Sequence, residues 1–283
     1  MTFLAIVIAV VLLQAWGTAQ RTQYDGWFAA WQARVARWNL SGGFSLAVQV
    51  LLPTALALFL LSLAEPFLFG LFWVPLAALL LLYSFGRGDF QGAMGRYRGH
   101  VYSGDFEAAY LSACQEFEWE DTAVVPDSPL GVHALIQRAY LYEGLQRWFA
   151  VLFYFVLTGP AGALAYRLLQ LSREGCQTGL VARLLFLLDW VPARLLAATF
   201  TLTGDFIASR DSLLAMLADT GADAGPVLYT VGVAALGPDA AIVPDEDAVT
   251  GPAAAAQNRE FNALLARSAA CWIVVLSLLV LLL

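Results

Sequence analysis

Long apolar runs, broken by short polar bridges, set the rhythm of this chain. Six segments stand out: Phe3–Leu13, Phe44–Leu63, Phe67–Tyr83, Trp148–Leu171, Leu180–Ala208 and Ala269–Leu283. Several reach the roughly 20 residues that a helix needs to cross a bilayer; the first and last are short for a full span. Only Ala64-Glu65-Pro66 separates the second run from the third. A link that short predicts an antiparallel hairpin, with Pro53 and Pro75 as kinks that membrane helices tolerate. Phe261, Leu264 and Leu265 can extend the last helix backwards.

The polar stretches carry a different pattern. Within Gly17–Gly43, the spacing of Trp27, Trp31, Ala33, Val35 and Trp38 predicts an amphipathic helix at the membrane surface, where tryptophan is favoured. Ser84–Arg147 reads as two helices. Asp105 caps the first, and the second starts after Asp127-Ser128-Pro129 and runs on into the next apolar segment. Between them, Glu116, Glu118, Glu120 and Asp121 form a solvated acidic face. Arg210–Ser268 is rich in alanine and glycine, and its Pro/Asp/Glu-rich portion from Gly237 to Pro252 is expected to be mobile. The pattern implies an all-α polytopic membrane helical bundle with two helical cytoplasmic insertions. Its divisions fall at 1–83, 84–147, 148–208, 209–268 and 269–283.

Composition agrees. The chain is 60% hydrophobic and only 13% charged, where soluble domains carry roughly 25% charge. All 15 basic residues are arginine. With six spans, Gly17–Gly43, Ser84–Arg147 and Ser209–Ser268 share one side and hold three, five and three arginines, against Arg173 on the other. Positive charge prefers the cytoplasmic side, so both large loops are placed there. No basic residue precedes Phe3, so the first apolar run reads as a retained helix rather than a signal peptide. The formal charge of −7 gives no reason to expect a nucleic-acid partner. Cys114, Cys176 and Cys271 are too few and too scattered for a disulfide framework, and His100 and His133 do not complete a metal site. Phosphate-loop, nucleophile-elbow and dinucleotide fingerprints are missing, and any cofactor is left unknown.

Candidate chemistry concentrates in Leu188-Asp189-Trp190-Val191-Pro192-Ala193-Arg194-Leu195. An acid, a base and a helix breaker inside an apolar segment are costly unless they face protein or a polar cavity. Two readings stay open. Tyr166, Arg167, Asp189 and Arg194 can line a cavity where arginine holds a phosphate or carboxylate and Asp189 orients it. Alternatively they form a buried ion pair that fixes helix register, with Asp189 facing Arg167 or Arg194. Direct pairing of Asp189 with Arg194 requires a break at Pro192, because a continuous helix sets residues five apart about 140° from each other. Asp205 either joins the site or caps a helix. His133 is a possible general base, Arg138 lies on a polar stripe with Tyr142 and Gln146, and Glu143 can pair with Arg147 four residues on.

The blocks Thr158-Gly159-Pro160-Ala161-Gly162-Ala163-Leu164-Ala165-Tyr166-Arg167 and Leu188–Leu195 resemble signatures shared by the AmpE family and the CobD/CbiB membrane enzymes of cobalamin biosynthesis. Gly86-Arg87-Gly88-Asp89, Arg96-Tyr97-Arg98 and Gly104-Asp105-Phe106-Glu107-Ala108-Ala109 look like AmpE, whereas Ser212–Leu236 keeps only a trace of the CobD-type block. The AmpE resemblance implies a multi-pass protein of the bacterial inner membrane that modulates β-lactamase induction. Its expected partners are the lipid bilayer, an anionic small ligand and a protein reached through the cytoplasmic loops. The CobD-like alternative implies an ATP-dependent amide-forming synthase, and a third reading is a scaffold for partner proteins.

Overall fold

The computed structural model describes residues 2–16, 24–66, 71–117, 128–173, 178–238 and 250–282, and these are helical with no strand among them. In chain order the helices are α1 (Thr2–Trp16), α2 (Gly26–Ala36), α3 (Gly42–Ala64), α4 (Trp73–Ser84), α5 (Phe90–Tyr102), α6 (Phe106–Phe117) and α7 (Pro129–Gly144). A π-helical turn, Leu145–Phe149, leads into α8 (Ala150–Thr158); then come α9 (Pro160–Leu171), α10 (Thr178–Thr203), α11 (Phe206–Ala218), α12 (Ala224–Leu236) and α13 (Gly251–Leu282). Glu118, Glu120, Asp121, Cys176 and most of Gly237–Pro252 lie outside the described residues.

The chain folds into two units, each built from separated segments. Unit 1 comprises Met1–Arg87, Arg147–Asp189 and Val275–Leu283; unit 2 comprises Gly88–Gln146 and Trp190–Val274. In unit 1, α4 packs on α1 and α9, and α9 also meets α3 and α8. Buried Ala5 and Ala9 on α1, with Ala77 and Ala78 on α4, keep these helices thin where they pack. In unit 2, α5 packs on α6, α6 and α12 on α7, and α11 on α12. Its centre holds Tyr97, Ile136, Tyr140, Leu141, Phe200 and Phe261, with Phe90 stacked on Tyr140 at 4.5 Å between ring centroids.

Among the described residues two helices are, by length and composition, long and apolar enough to cross a membrane, Gly42–Ala64 and Gly251–Leu278. Their most apolar windows are only 22% and 28% buried. On α3, Leu51, Leu52, Leu56, Leu58, Phe59 and Leu63 are all exposed.

The remaining spans expected from the sequence take other forms. α4 covers only 12 residues; Pro75 sits in its first turn, where its missing N–H breaks no helical bond, and so adds no kink there. The run Trp148–Leu171 is split at Gly159, whose φ of 81° suits glycine, and Pro160 opens α9 in the first position where proline fits. α10 ends at Thr203 and is continuous through Pro192, so the expected break is not made. The last apolar run belongs to a helix of 32 residues starting at Gly251, well inside the stretch expected to be a loop.

Both interior prolines stay helical by the same device. A helical proline leaves the carbonyl four residues earlier without its N–H partner. For Pro53 that carbonyl is Gln49 O, and Trp31 Nε1 donates to it at 3.3 Å. For Pro192 it is Leu188 O, and Tyr154 Oη donates to it at 2.8 Å. An aromatic donor from a neighbouring helix thus replaces each lost bond.

Candidate functional site

In unit 1 the two sequence blocks meet. Tyr166 on α9 donates its hydroxyl to Asp189 Oδ1 on α10 at 2.5 Å, and both residues are buried. Tyr154 stacks on Tyr166, with ring centroids 5.1 Å apart. The neighbouring Arg167 is turned about 100° around α9 and serves other partners. Its Nη1 donates to Gln170 Oε1 at 2.9 Å, and its Nη2 lies 3.9 Å from Asp25 Oδ2.

Asp25 is the hub of a charged clasp. It stands at the N-cap of α2, yet its carboxylate does not cap that helix. Arg87 Nε donates to Oδ2 at 2.7 Å and Arg87 Nη2 donates to Oδ1, a two-pronged match of guanidinium to carboxylate. Tyr83 Oη also donates to Oδ1 at 2.9 Å, and Trp27 Nε1 donates to the Tyr83 hydroxyl at 3.0 Å. Arg87 is held in turn: Nη1 donates to Tyr83 O and Phe85 O, while the Arg147 side chain donates to Arg87 O. Burial alone would raise the Asp25 pKa. Hydrogen bonding and charge from Arg87, with the Tyr83 hydroxyl and the Arg167 charge, overcome it and hold the carboxyl below its ordinary value. The clasp stays reachable from solvent, the Arg87 and Asp25 side chains being 21% and 29% exposed.

The other expected site residues lie in unit 2. Arg194 is buried over the Trp190 ring, its guanidinium carbon 4.0 Å from the centroid. It donates to Trp190 O at 3.3 Å and to Asp219 O, at the C-cap of α11, at 2.6 Å. Asp189 and Arg194 therefore sit on one unbroken helix with separate partners, one set in each unit. Asp205 is exposed and caps α11 by accepting from Ala208 N at 3.0 Å. Its own N–H bonds Ala235 O at 2.7 Å, and Gly204 beside it has no room for a side chain, since a Cβ would come within 2.4 Å of Ala235 O. Arg138 lies over the Tyr229 ring at 5.3 Å, and Glu143 is half-buried on α7.

His133 is fully buried in a neutral network. Its Nε2 pairs with Gln257 Oε1 at 2.8 Å and its Nδ1 with the Tyr97 hydroxyl. The Gln257 oxygen only accepts, so Nε2 carries the proton and Nδ1 accepts from Tyr97. Asn258, next in sequence, donates to Gln137 Oε1 at 2.9 Å and accepts from Arg98 Nη1 at 3.0 Å. Burial pushes the His133 pKa down to about 4, against a smaller opposing pull from Gln257. With both ring nitrogens engaged and burial favouring the neutral form, His133 is a fixed member of this network. The open groove of about 420 Å³ lined by Arg96, His100, Ser112 and Glu116 contains none of the expected site residues.

Residues 1–282 match the family described as regulatory signalling modulator protein AmpE. The chain belongs to the AmpE family. No curated protein and no solved structure matches it.

The sequence leaves half of these AmpE networks hidden. Asp25 precedes an amphipathic helix and has the look of an ordinary cap, and Arg87 has the look of a loop arginine. Their pairing spans 62 positions, beyond any local pattern. Gln257-Asn258 did leave a signal, two adjacent amides in an alanine-rich stretch entering an apolar helix.

Proposed function

We propose that this AmpE-family chain is a multi-pass regulatory protein of the bacterial inner membrane, with its large loops cytoplasmic. It binds an anionic small ligand at the clasp formed by Asp25, Arg87 and Arg167. The role that the AmpE resemblance implies, modulating β-lactamase induction under cell-wall stress, is the process it serves. The exposed apolar surfaces of α3 and the C-terminal part of α13 support the membrane placement.

One observation carries the ligand reading: Asp25 occupies a guanidinium fork in the manner of a bound carboxylate. A ligand carboxylate or phosphate offers Arg87 the same pair of acceptors, and phosphate adds further oxygens within reach of Arg167. Asp25 is then an internal stand-in that the ligand displaces, freeing the start of α2. Tyr166 and Asp189 lie deeper and support α9 from behind. A protein partner at the cytoplasmic loops receives the change.

Native mass spectrometry of the full-length protein in detergent tests this. A small anionic adduct is expected on the wild type and on Arg194→Ala, and is expected to vanish from Arg167→Ala. Equal adduct occupancy in Arg167→Ala would overturn the site, and a clean wild-type mass that inorganic phosphate does not change would overturn the ligand.

A further inference from the structure

A second surface on α2 is built for a different partner. The helix turns Phe28 and Val35 inward, where both are buried, and anchors Trp31 on Gln49 O. Trp27 and Arg34 fall at i and i+7 on one outward stripe of α2, and Arg37 and Trp38 follow in the turn just past its end, the Trp38 ring against Trp31. All four are exposed, as is Tyr24 at 76%. From Gly26 to Ser41 there is no acidic residue. The nearest carboxylate, Asp25, is taken by Arg87. The stripe is therefore aromatic and cationic with nothing on its own helix to neutralise it.

Its place in the chain says what it faces. α3 begins at Gly42, five residues after Arg37, and displays Leu51, Leu52, Leu56, Leu58, Leu60 and Leu63 on its outward side, opposite the buried stripe of Leu46, Val50, Ala57 and Leu61. On the membrane placement proposed above, on which this inference rests, α3 lies in the hydrocarbon layer. The preceding helix then lies at the level where that layer meets water. Tryptophan and tyrosine concentrate at that level, and arginine there meets lipid phosphates. A protein-binding face would not need to combine this charge with the entry point of a lipid-exposed helix.

We propose that the outward face of α2 docks on the headgroups of anionic phospholipids beside α3, with Arg34 and Arg37 as the charge contacts and Trp27 and Trp38 as the interfacial anchors. Its charge contacts, Arg34 and Arg37, take no part in the clasp, while Trp27 also donates to the Tyr83 hydroxyl that bonds Asp25. The two surfaces thus meet at Trp27 and on α2, so the lipid content of the membrane and the clasp together set how firmly α2 is held.

Hydrogen exchange over residues 26–36 tests the proposal, using full-length protein in phosphatidylcholine vesicles with or without phosphatidylglycerol at constant ionic strength. One basic residue near an anionic surface contributes roughly fivefold to the equilibrium, so two contribute on the order of thirtyfold. Protection of α2 in the wild type is expected to rise by a factor of that order when phosphatidylglycerol is present. The Arg34→Gln/Arg37→Gln protein is expected to lose the rise, and Arg34→Lys/Arg37→Lys to keep most of it. All three should melt alike in detergent, since both side chains are exposed. Unchanged exchange in the wild type, or a full rise in the double glutamine variant, would overturn the proposal. Sodium phosphate added to phosphatidylcholine vesicles should not reproduce the rise; if it does, the free anion rather than the lipid surface is the ligand.

Discussion

The two polar networks of this protein are made of opposite materials. The clasp of unit 1 joins ionised groups, Asp25 with Arg87 and Arg167, at a partly exposed position. The network of unit 2 joins neutral groups in its interior, Tyr97, His133, Gln257, Gln137 and Asn258, four of them with no exposure beyond 1% and Gln257 at 3%, and meets a charge at its edge, where Arg98 donates to Asn258. A charged group near solvent can trade one partner for another, because water and ions stabilise the intermediate arrangements. A neutral donor or acceptor sealed from water has nowhere else to go, and losing its partner exposes the whole desolvation cost. The first arrangement suits a responsive site. The second suits a fixed joint that sets the register of α5, α7 and α13.

The largest effect should come from the sealed network. Replacing His133 by alanine leaves a cavity and strands both Tyr97 and Gln257, and should cost about 3 kcal/mol of stability. Denaturant or thermal melting in detergent reads this directly. A loss as small as that of an exposed substitution would show that the network does not fix the fold.

Acid should expose the same difference. The folded pKa of His133 lies near 4, below its ordinary 6.5. Between those values the unfolded chain binds the proton and the folded one does not. Stability is therefore full above pH 6.5 and falls as pH drops toward 4, by up to about 3 kcal/mol. The His133→Gln protein should lack this decline. Asp25, with its lowered pKa, loses its contribution only further into acid, as the carboxyl takes up a proton.

Smaller effects follow from the proline devices and the clasp. Tyr154→Phe and Trp31→Phe each remove the donor that covers a carbonyl left by proline, and each should cost about 1 kcal/mol. Asp25→Asn keeps the shape of the clasp but not its charge. It should cost about 1 kcal/mol, less than His133→Ala, while exchange over α2 rises.

Much of this fold was legible where the cause is local. Asp105 and Ser128 cap the helices that the sequence placed after them, accepting from Ala108 N and Gly131 N. Gly159-Pro160 marks a genuine change of helix. What stayed hidden depends on distant partners. Pro192 reads as a breaker because its missing N–H is visible in the sequence, whereas the Tyr154 hydroxyl that makes good the loss is 34 positions from Leu188. The site was legible by half for the same reason. Tyr166 and Asp189 meet, where the sequence suggested Arg167 or Arg194 as the partner of Asp189. Arg167 instead points to Asp25, and Arg194 to the end of α11.

The claim that the charged clasp responds while the neutral network stays fixed is tested most directly by hydrogen exchange. The full-length protein in detergent is measured with and without saturating sodium phosphate, at constant ionic strength. Faster exchange is expected across residues 26–36 when phosphate displaces Asp25, with residues 90–102 and 129–144 unchanged. Equal exchange in α2 under both conditions, or a change confined to α5 and α7, would contradict it.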